Sequence, residues 1–205
     1  MDFGVGLRYC FIQSTSSYSC YFTLITGKYK SNLIENKLEV VMADLSRLKW
    51  SKNVSYQGSE ITFWDFPINE LSKIFILHWK KGYEANAAKP EEGDILLIRQ
   101  HARITHIVQL FNKTVYDEAS GYEFSIGRLV QILWKAHDLN NAPHNTEIFG
   151  CPINFPPNGK AHFLENIGDF NEYWSKLGGL PAFQNYVTGV LDKNGEWLQP
   201  LIALA

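Results

Sequence analysis

Between Pro90 and Phe111 the chain sets Arg99, His101, Arg103 and His106 into a run that is otherwise mostly aliphatic. A guanidinium or an imidazole inside a core-forming hairpin is costly unless it meets a partner or a ligand. Such groups can hold an anion, hydrogen-bond the edge of a heterocycle or move a proton. With His78 on the preceding strand they also include the imidazoles a metal would use. No cysteine or carboxylate stands at a telling spacing beside them, so neither a metal nor a cofactor is expected.

Nucleophilic chemistry has less to build on. Cys151 lies in a Gly-Cys-Pro loop with His144 and His162 near in sequence, but no cysteine-enzyme motif surrounds it. Glu91-Glu92 and Asp117-Glu118 sit at turns, where solvated charge is the ordinary role. The chain has no phosphate-cradling glycine loop, no G-x-S-x-G and no kinase signature. No residue is therefore expected to be catalytic. The enzymatic alternative is a small hydrolase or nuclease built on His101 and His106.

Aromatic residues crowd the same region. Trp50, Trp64, Trp79 and Tyr83 are interleaved with Lys49, Lys52, Lys80 and Lys81. Aromatic faces beside cations are the parts needed to stack a base and hold its phosphates. They are equally the parts of a core overlain by amphipathic lysines. With 6 tryptophans in 205 residues, most must be structural.

These residues need a scaffold, and length and composition allow one ordinary domain with an appendage. A hydrophobic content of 45% supports a packed core, and a net charge of −2 excludes a polyelectrolyte. Lys and Arg outnumber Asp and Glu over residues 47–113, whereas acids dominate from 114 onward. An anionic partner should meet the middle of the chain, and a protein partner the acidic C-terminal part. A whole-surface grip on duplex nucleic acid, which needs many phosphate contacts, is not expected. The 3 cysteines form no C-x-x-C pair and no apolar stretch is long enough to span a bilayer, so a cytoplasmic protein without membrane contact is expected.

Residues 1–43 differ in character, and Met42-Ala43-Asp44-Leu45-Ser46 reads like a start; a loosely packed extension is expected there. Short strands are expected at 59–63, 73–79, 95–100, 104–111, 114–116 and 128–135, with one helical turn at 67–72. The pair 95–100 and 104–111 should form a hairpin around Ala102-Arg103, placing His106 inward on the side of Ile104, Val108 and Leu110. Four prolines between 140 and 159 imply loop, and helices are expected at 169–177, capped by Asp169, and at 181–191. Successive strands without crossover helices give an α+β fold: a small mixed β-barrel or strongly curved sheet over 44–150, with the loop and helices of 151–205 packed on it.

The stretch Trp79-Lys-Lys-Gly-Tyr83-Glu-Ala85, the Gly93-Asp94 turn and the strand Ile104 to Leu110 resemble the central part of EVE domains, of the PUA-like superfamily. Arg128 to Lys135 matches a later strand of such domains, and Leu48-Lys-Trp-Ser-Lys52 is an altered form of their Trp-Leu-x-Lys-Ser opening. The similarity covers about 60 residues, and the tail beyond Pro152 has no counterpart. What the resemblance implies is a PUA-like barrel that takes an extruded, plain or modified, base into an aromatic pocket. Trp79 and Tyr83 would line that pocket and Trp50 or Trp64 would close it. Arg99, Arg103 and Lys80 would contact phosphate, and His106 would hydrogen-bond the base edge; His101 of the same hairpin is counted among the ligand-binding residues. The expected function is thus non-catalytic reading of a nucleic-acid base or a nucleotide; the alternative is a protein-interaction or sensor module.

Overall fold

The computed structural model describes residues 44–54, 63, 65, 73–118, 123–156 and 158–198. The expected extension at 1–43, most of the strand at 59–63, the helical turn at 67–72 and Trp64 lie outside those residues. In chain order the elements are β1 (Leu48–Asn53), β2 (Ile74–Trp79), α1 (Glu84–Ala87), β3 (Ile95–Gln100), β4 (Arg103–Asp117), β5 (Ile126–Ala136), α2 (Asn145–Phe149), β6 (Ala161–Phe163), α3 (Gly168–Trp174), α4 (Gly179–Asn194) and β7 (Gly195–Trp197).

The fold is α+β, a mixed seven-stranded sheet with helices in its C-terminal part. Strand order is β2-β5-β4-β3-β1-β6, with β7 added to β5. Only β1 and β3 run parallel among these pairs; the others are antiparallel. Strand β3 lies between β4 and β1, and all of its residues are buried. Its sequence, Ile-Leu-Leu-Ile, suits burial on both faces, because successive side chains point to opposite sides. Ile95 and Leu97 enter one core with Phe149, Phe170, Trp174 and Phe183 from the helices. Leu96 and Ile98 enter a second core with Trp50, Leu77, Trp79 and Val108.

The expected barrel is instead an open sheet: among the described strands β2 and β6 end the path and do not pair with each other. The side-chain amide of Asn86 stands between those two ends. It donates to the carbonyl of Ala161 at 2.9 Å and accepts from the Ala161 N–H at 2.8 Å, as a neighbouring strand would. It also accepts the indole N–H of Trp79, the last residue of β2, at 2.9 Å. At Ala161, edge β6 is therefore met by a side chain rather than by a strand.

Four local expectations change. The strands at 104–111 and 114–116 are one strand, β4, with a register shift between Leu110 and Val115 instead of a turn. A second shift, opposite Ile98 and Arg99, leaves Thr105 as the extra residue. Ile104 consequently joins the helical-face core, while His106 pairs with Ile98 beside Val108 and Leu110 on the other face. The hairpin turn itself is His101-Ala102, with φ of 47° and 61°. Asp169 does not cap α3; Ile167 holds that position, and the Asp169 carboxylate accepts the Asn154 N–H at 2.9 Å.

The Gly93-Asp94 turn is fixed electrostatically. Asp94 accepts the Trp50 indole N–H at 2.9 Å, the Glu91 N–H at 3.0 Å and Arg47 at 2.9 Å. Burial pushes its carboxyl up, but these donors and Lys49 outweigh that and hold it below the usual carboxylate range. Arg128, which is also buried, donates to the carbonyls of Ala87, Pro90 and Asn112 and pins the α1 segment to β5.

Candidate functional site

The inner position of β1 forces an unusual burial. Strand β1 is flanked by β3 and β6, and its alternation puts Trp50 and Lys52 on one face and Ser51 on the other. Lys52 is 2% exposed. Its ammonium donates to the Gly159 carbonyl at 2.5 Å and lies 4.6 Å from the centre of the Trp79 ring. Arg99 closes the doubly buried β3 on Ser51's face and is 5% exposed. Its Nε donates to Ser51 Oγ at 2.8 Å, and its guanidinium carbon lies 3.6 Å from the centre of the Phe155 ring. Arg99 Nη2 is buried and has no hydrogen-bond partner among the described residues.

Two half-buried basic residues complete the group. His162 pairs in register with Ser51, which puts it on Arg99's side, and its Nε2 is 3.1 Å from Asn158 Oδ1. Lys160 lies 4.6 Å over the ring of Tyr83. The four basic residues come from β1, the end of β3 and the segment 151–162, at the edge made by β6. Among the described residues none of them pairs with a carboxylate.

Electrostatics register that imbalance. Burial, then the charge of Arg99, pushes the Lys52 ammonium down to about 7. Burial alone takes Arg99 down to about 10. His162 is lowered by burial and by Arg99, Lys160 and Lys52 in turn. Like charges gathered in a desolvated place repel and lose hydration together. An anion there would relieve both costs at once.

The expected site residues divide. Trp79, expected to line a pocket, is instead fully buried under the Lys52 ammonium with its indole N–H taken by Asn86; Tyr83 is half-buried under Lys160, and Arg99 lies on the opposite face of the sheet against Phe155. Trp50 is on Lys52's face, but its indole N–H is taken by Asp94 and its ring meets Phe163 edge-on at 5.2 Å. Lys80 is exposed and paired with Glu123 at 2.5 Å. Arg103 donates to the Ala142 carbonyl. His101 is exposed in its turn, against the edge of Phe63 at 5.0 Å. The imidazole and guanidinium groups of the hairpin thus do not share one hollow, because the Thr105 bulge and the turn distribute them.

His106 is fully buried, with Nδ1 3.1 Å from Thr105 Oγ1 and Nε2 3.8 Å from Asp65, which is itself bonded to Lys135. Burial pushes its imidazole down to about 4, so it is neutral at pH 7. Asp65 and Lys135 line a separate hollow of about 430 Å³ with Phe63, His137, Asp138, Leu139 and Asn140. Among the described residues no three His, Cys, Asp or Glu side chains are grouped to hold a metal. No helix among them is long and apolar enough to cross a membrane.

Sequence reading passed over Lys52, Lys160, His162 and Phe155 as site residues. Only Lys52 carried a signal, lying two residues from Trp50 on what proves to be an inner strand. The other three sit in or beside the proline-rich segment, where spacing carries no facial information. No protein-family model matches the chain, and no curated protein matches it.

Proposed function

We infer that the chain is a non-catalytic binding module that takes a plain or modified base, of a nucleic acid or a free nucleotide, at this basic aromatic edge. In this reading it is a PUA-like domain, as its likeness to EVE domains implies, acting in the cytoplasm, as its cysteine usage implies. What supports it is one observation: three cation–ring pairs, Lys52 on Trp79, Arg99 on Phe155 and Lys160 on Tyr83, whose cations pair with no carboxylate among the described residues. A base stacked on the half-buried Tyr83 ring gains on the order of 1–3 kcal/mol, and Lys160 beside it answers a phosphate. Fluorescence titration with short single-stranded oligonucleotides and nucleosides, with and without modified bases, tests it. Saturable binding weakened by Tyr83→Ala is expected; no binding at low salt rejects the reading.

A second reading, docking of a protein partner, draws on the exposed Tyr173, Leu177 and Tyr186 of the acidic C-terminal part. Capture that needs those three residues and not Tyr83 would favour it.

A further inference from the structure

We propose that Asn158 is a self-modification site: in the folded protein the Gly159 backbone nitrogen displaces ammonia from its side-chain amide, and a carboxylate appears beside His162. The inference stands apart from the base reading above and needs no ligand.

The chain holds two Asn-Gly pairs, Asn158-Gly159 and Asn194-Gly195. Glycine after asparagine favours cyclisation, because no Cβ keeps the following nitrogen away from the amide carbon. The structure separates the two pairs. Asn194 ends α4, and the Gly195 N–H donates to the Leu191 carbonyl. The Asn194 amide nitrogen donates to the Val190 carbonyl at 2.8 Å and to Glu147 Oε1 at 3.1 Å, so nucleophile and leaving group are both held. Asn158 and Gly159 are half-buried outside any helix or strand, where water reaches them. Among the described residues neither the Gly159 N–H nor Asn158 Nδ2 has an acceptor. Around the position of a Gly159 Cβ no atom beyond its chain neighbours lies within 4 Å, which leaves room to close a ring.

The amide is also activated. Asn158 Oδ1 accepts the Lys160 N–H at 3.0 Å, a turn that folds the side chain back over the Gly159 peptide. That bond fixes the oxygen as the atom facing His162. An amide oxygen only accepts, so His162 Nε2, at 3.1 Å, is the donor. Two donors on one carbonyl oxygen draw charge from Cγ and stabilise the oxyanion that forms as the nitrogen adds. His162 lies in the field of Arg99, Lys160 and Lys52, none of which pairs with a carboxylate among the described residues. A positive field favours the deprotonated nitrogen that attacks.

The steps balance without an oxidant. Water takes the Gly159 amide proton, the nitrogen bonds Cγ, and the Cγ–Nδ2 bond breaks as Nδ2 leaves as ammonia. A water then opens the cyclic imide, at Cγ to give aspartate or at the backbone carbonyl to give isoaspartate. One water enters and one ammonia leaves. In the aspartate product a carboxylate stands where Oδ1 met His162, whose imidazole is now lowered by burial and by its basic neighbours. The aged protein therefore gains an ion pair that the new one lacks.

The test incubates the full chain at mildly alkaline pH, native and in urea, and follows both Asn-Gly pairs by peptide mass mapping. In urea the two should gain one mass unit at similar rates. In the native protein Asn158 should convert at least as fast as in urea, to aspartate and isoaspartate, while Asn194 lags several-fold behind it. His162→Leu should slow conversion at Asn158 several-fold, and His162→Gln, which keeps a donor, should restore it. Asn158→Asp, the product made directly, should raise the pH at which His162 titrates by NMR. Native Asn158 that stays intact while the urea sample converts, or that converts no faster than native Asn194, overturns the proposal. So does a His162→Leu rate equal to wild type, or a His162 titration that Asn158→Asp does not move.

Discussion

Replacing Lys52 by Met should stabilise the protein at neutral and lower pH, and the gain should vanish in alkali. The folded ammonium is held at about 7, against 10.5 for an ordinary lysine. At about 1.4 kcal/mol per pH unit, that difference corresponds to roughly 5 kcal/mol between the charged and neutral forms. The sign follows from proton counting. Below pH 7 both folded and unfolded lysine are charged, and the folded state bears the whole burial cost. Between about 7 and 10.5 the unfolded chain holds a proton that the folded one has shed, so raising the pH stabilises the fold. Above 10.5 neither is charged and the cost is gone. The Trp79 face and the Gly159 carbonyl offset part of it, an exposed cation–ring pair being worth about 0.5–1 kcal/mol and a desolvated one about 2. Denaturant titrations of wild type and Lys52→Met from pH 6 to 10 measure the difference directly. Met should be ahead by about 3 kcal/mol at pH 6 once that offset is taken, with the gap closing as pH rises. Parallel curves, or a wild type more stable than the variant at pH 6, would refute the argument that Lys52 is buried without a counter-charge.

Other perturbations bear on the scaffold. Ala102→Gly should stabilise by roughly 0.5–1 kcal/mol in a denaturant melt, because alanine at φ of 61° in the hairpin turn carries left-handed strain. Gly195→Ala should destabilise by about 1–3 kcal/mol: a Cβ there would lie 2.2 Å from the Trp134 ring and 2.3 Å from the Lys135 carbonyl, and the melt should show it. Asp94→Asn should cost about 2–4 kcal/mol by weakening the bonds from Arg47, Trp50 and Glu91. The Asp94 carboxyl is lowered, so its contribution is present above pH 4 and fades as pH falls through its folded value; an acid titration of stability should be shallower in the variant.

Much of the sheet was legible because its strands repeat strongly. Residues 95–100 and 128–135 are β-branched, aliphatic or aromatic runs that lie within strands, and the run at 73–79 forms β2 from Ile74 onward. Strands β6 and β7, three residues each, are too short to show a period, and β1 has Lys52 where alternation calls for an apolar residue. That same residue hid the site. A lysine reads as solvent-facing unless the strand is known to be internal, and β1 is internal only through partners 40 and more residues away. The hairpin's cations were visible by type, but the side each one takes depends on Thr105, whose role as an extra residue no local pattern announces. Helix α2 escaped notice because it occupies five residues between prolines.

The parallel match of β1 to β3 bears on the order of assembly. Antiparallel β3, β4 and β5 follow one another along the chain and can zip locally, whereas β1 must close a span of about forty residues, and β6 then needs β1 in place. Such distant contacts form late, since their chain-closure entropy is lost before any contact compensates it. Lys52 and Gly159 are 107 positions apart. That buried contact therefore forms only when the last edge docks, and an immature or partly frayed chain would leave the Lys52 ammonium in water.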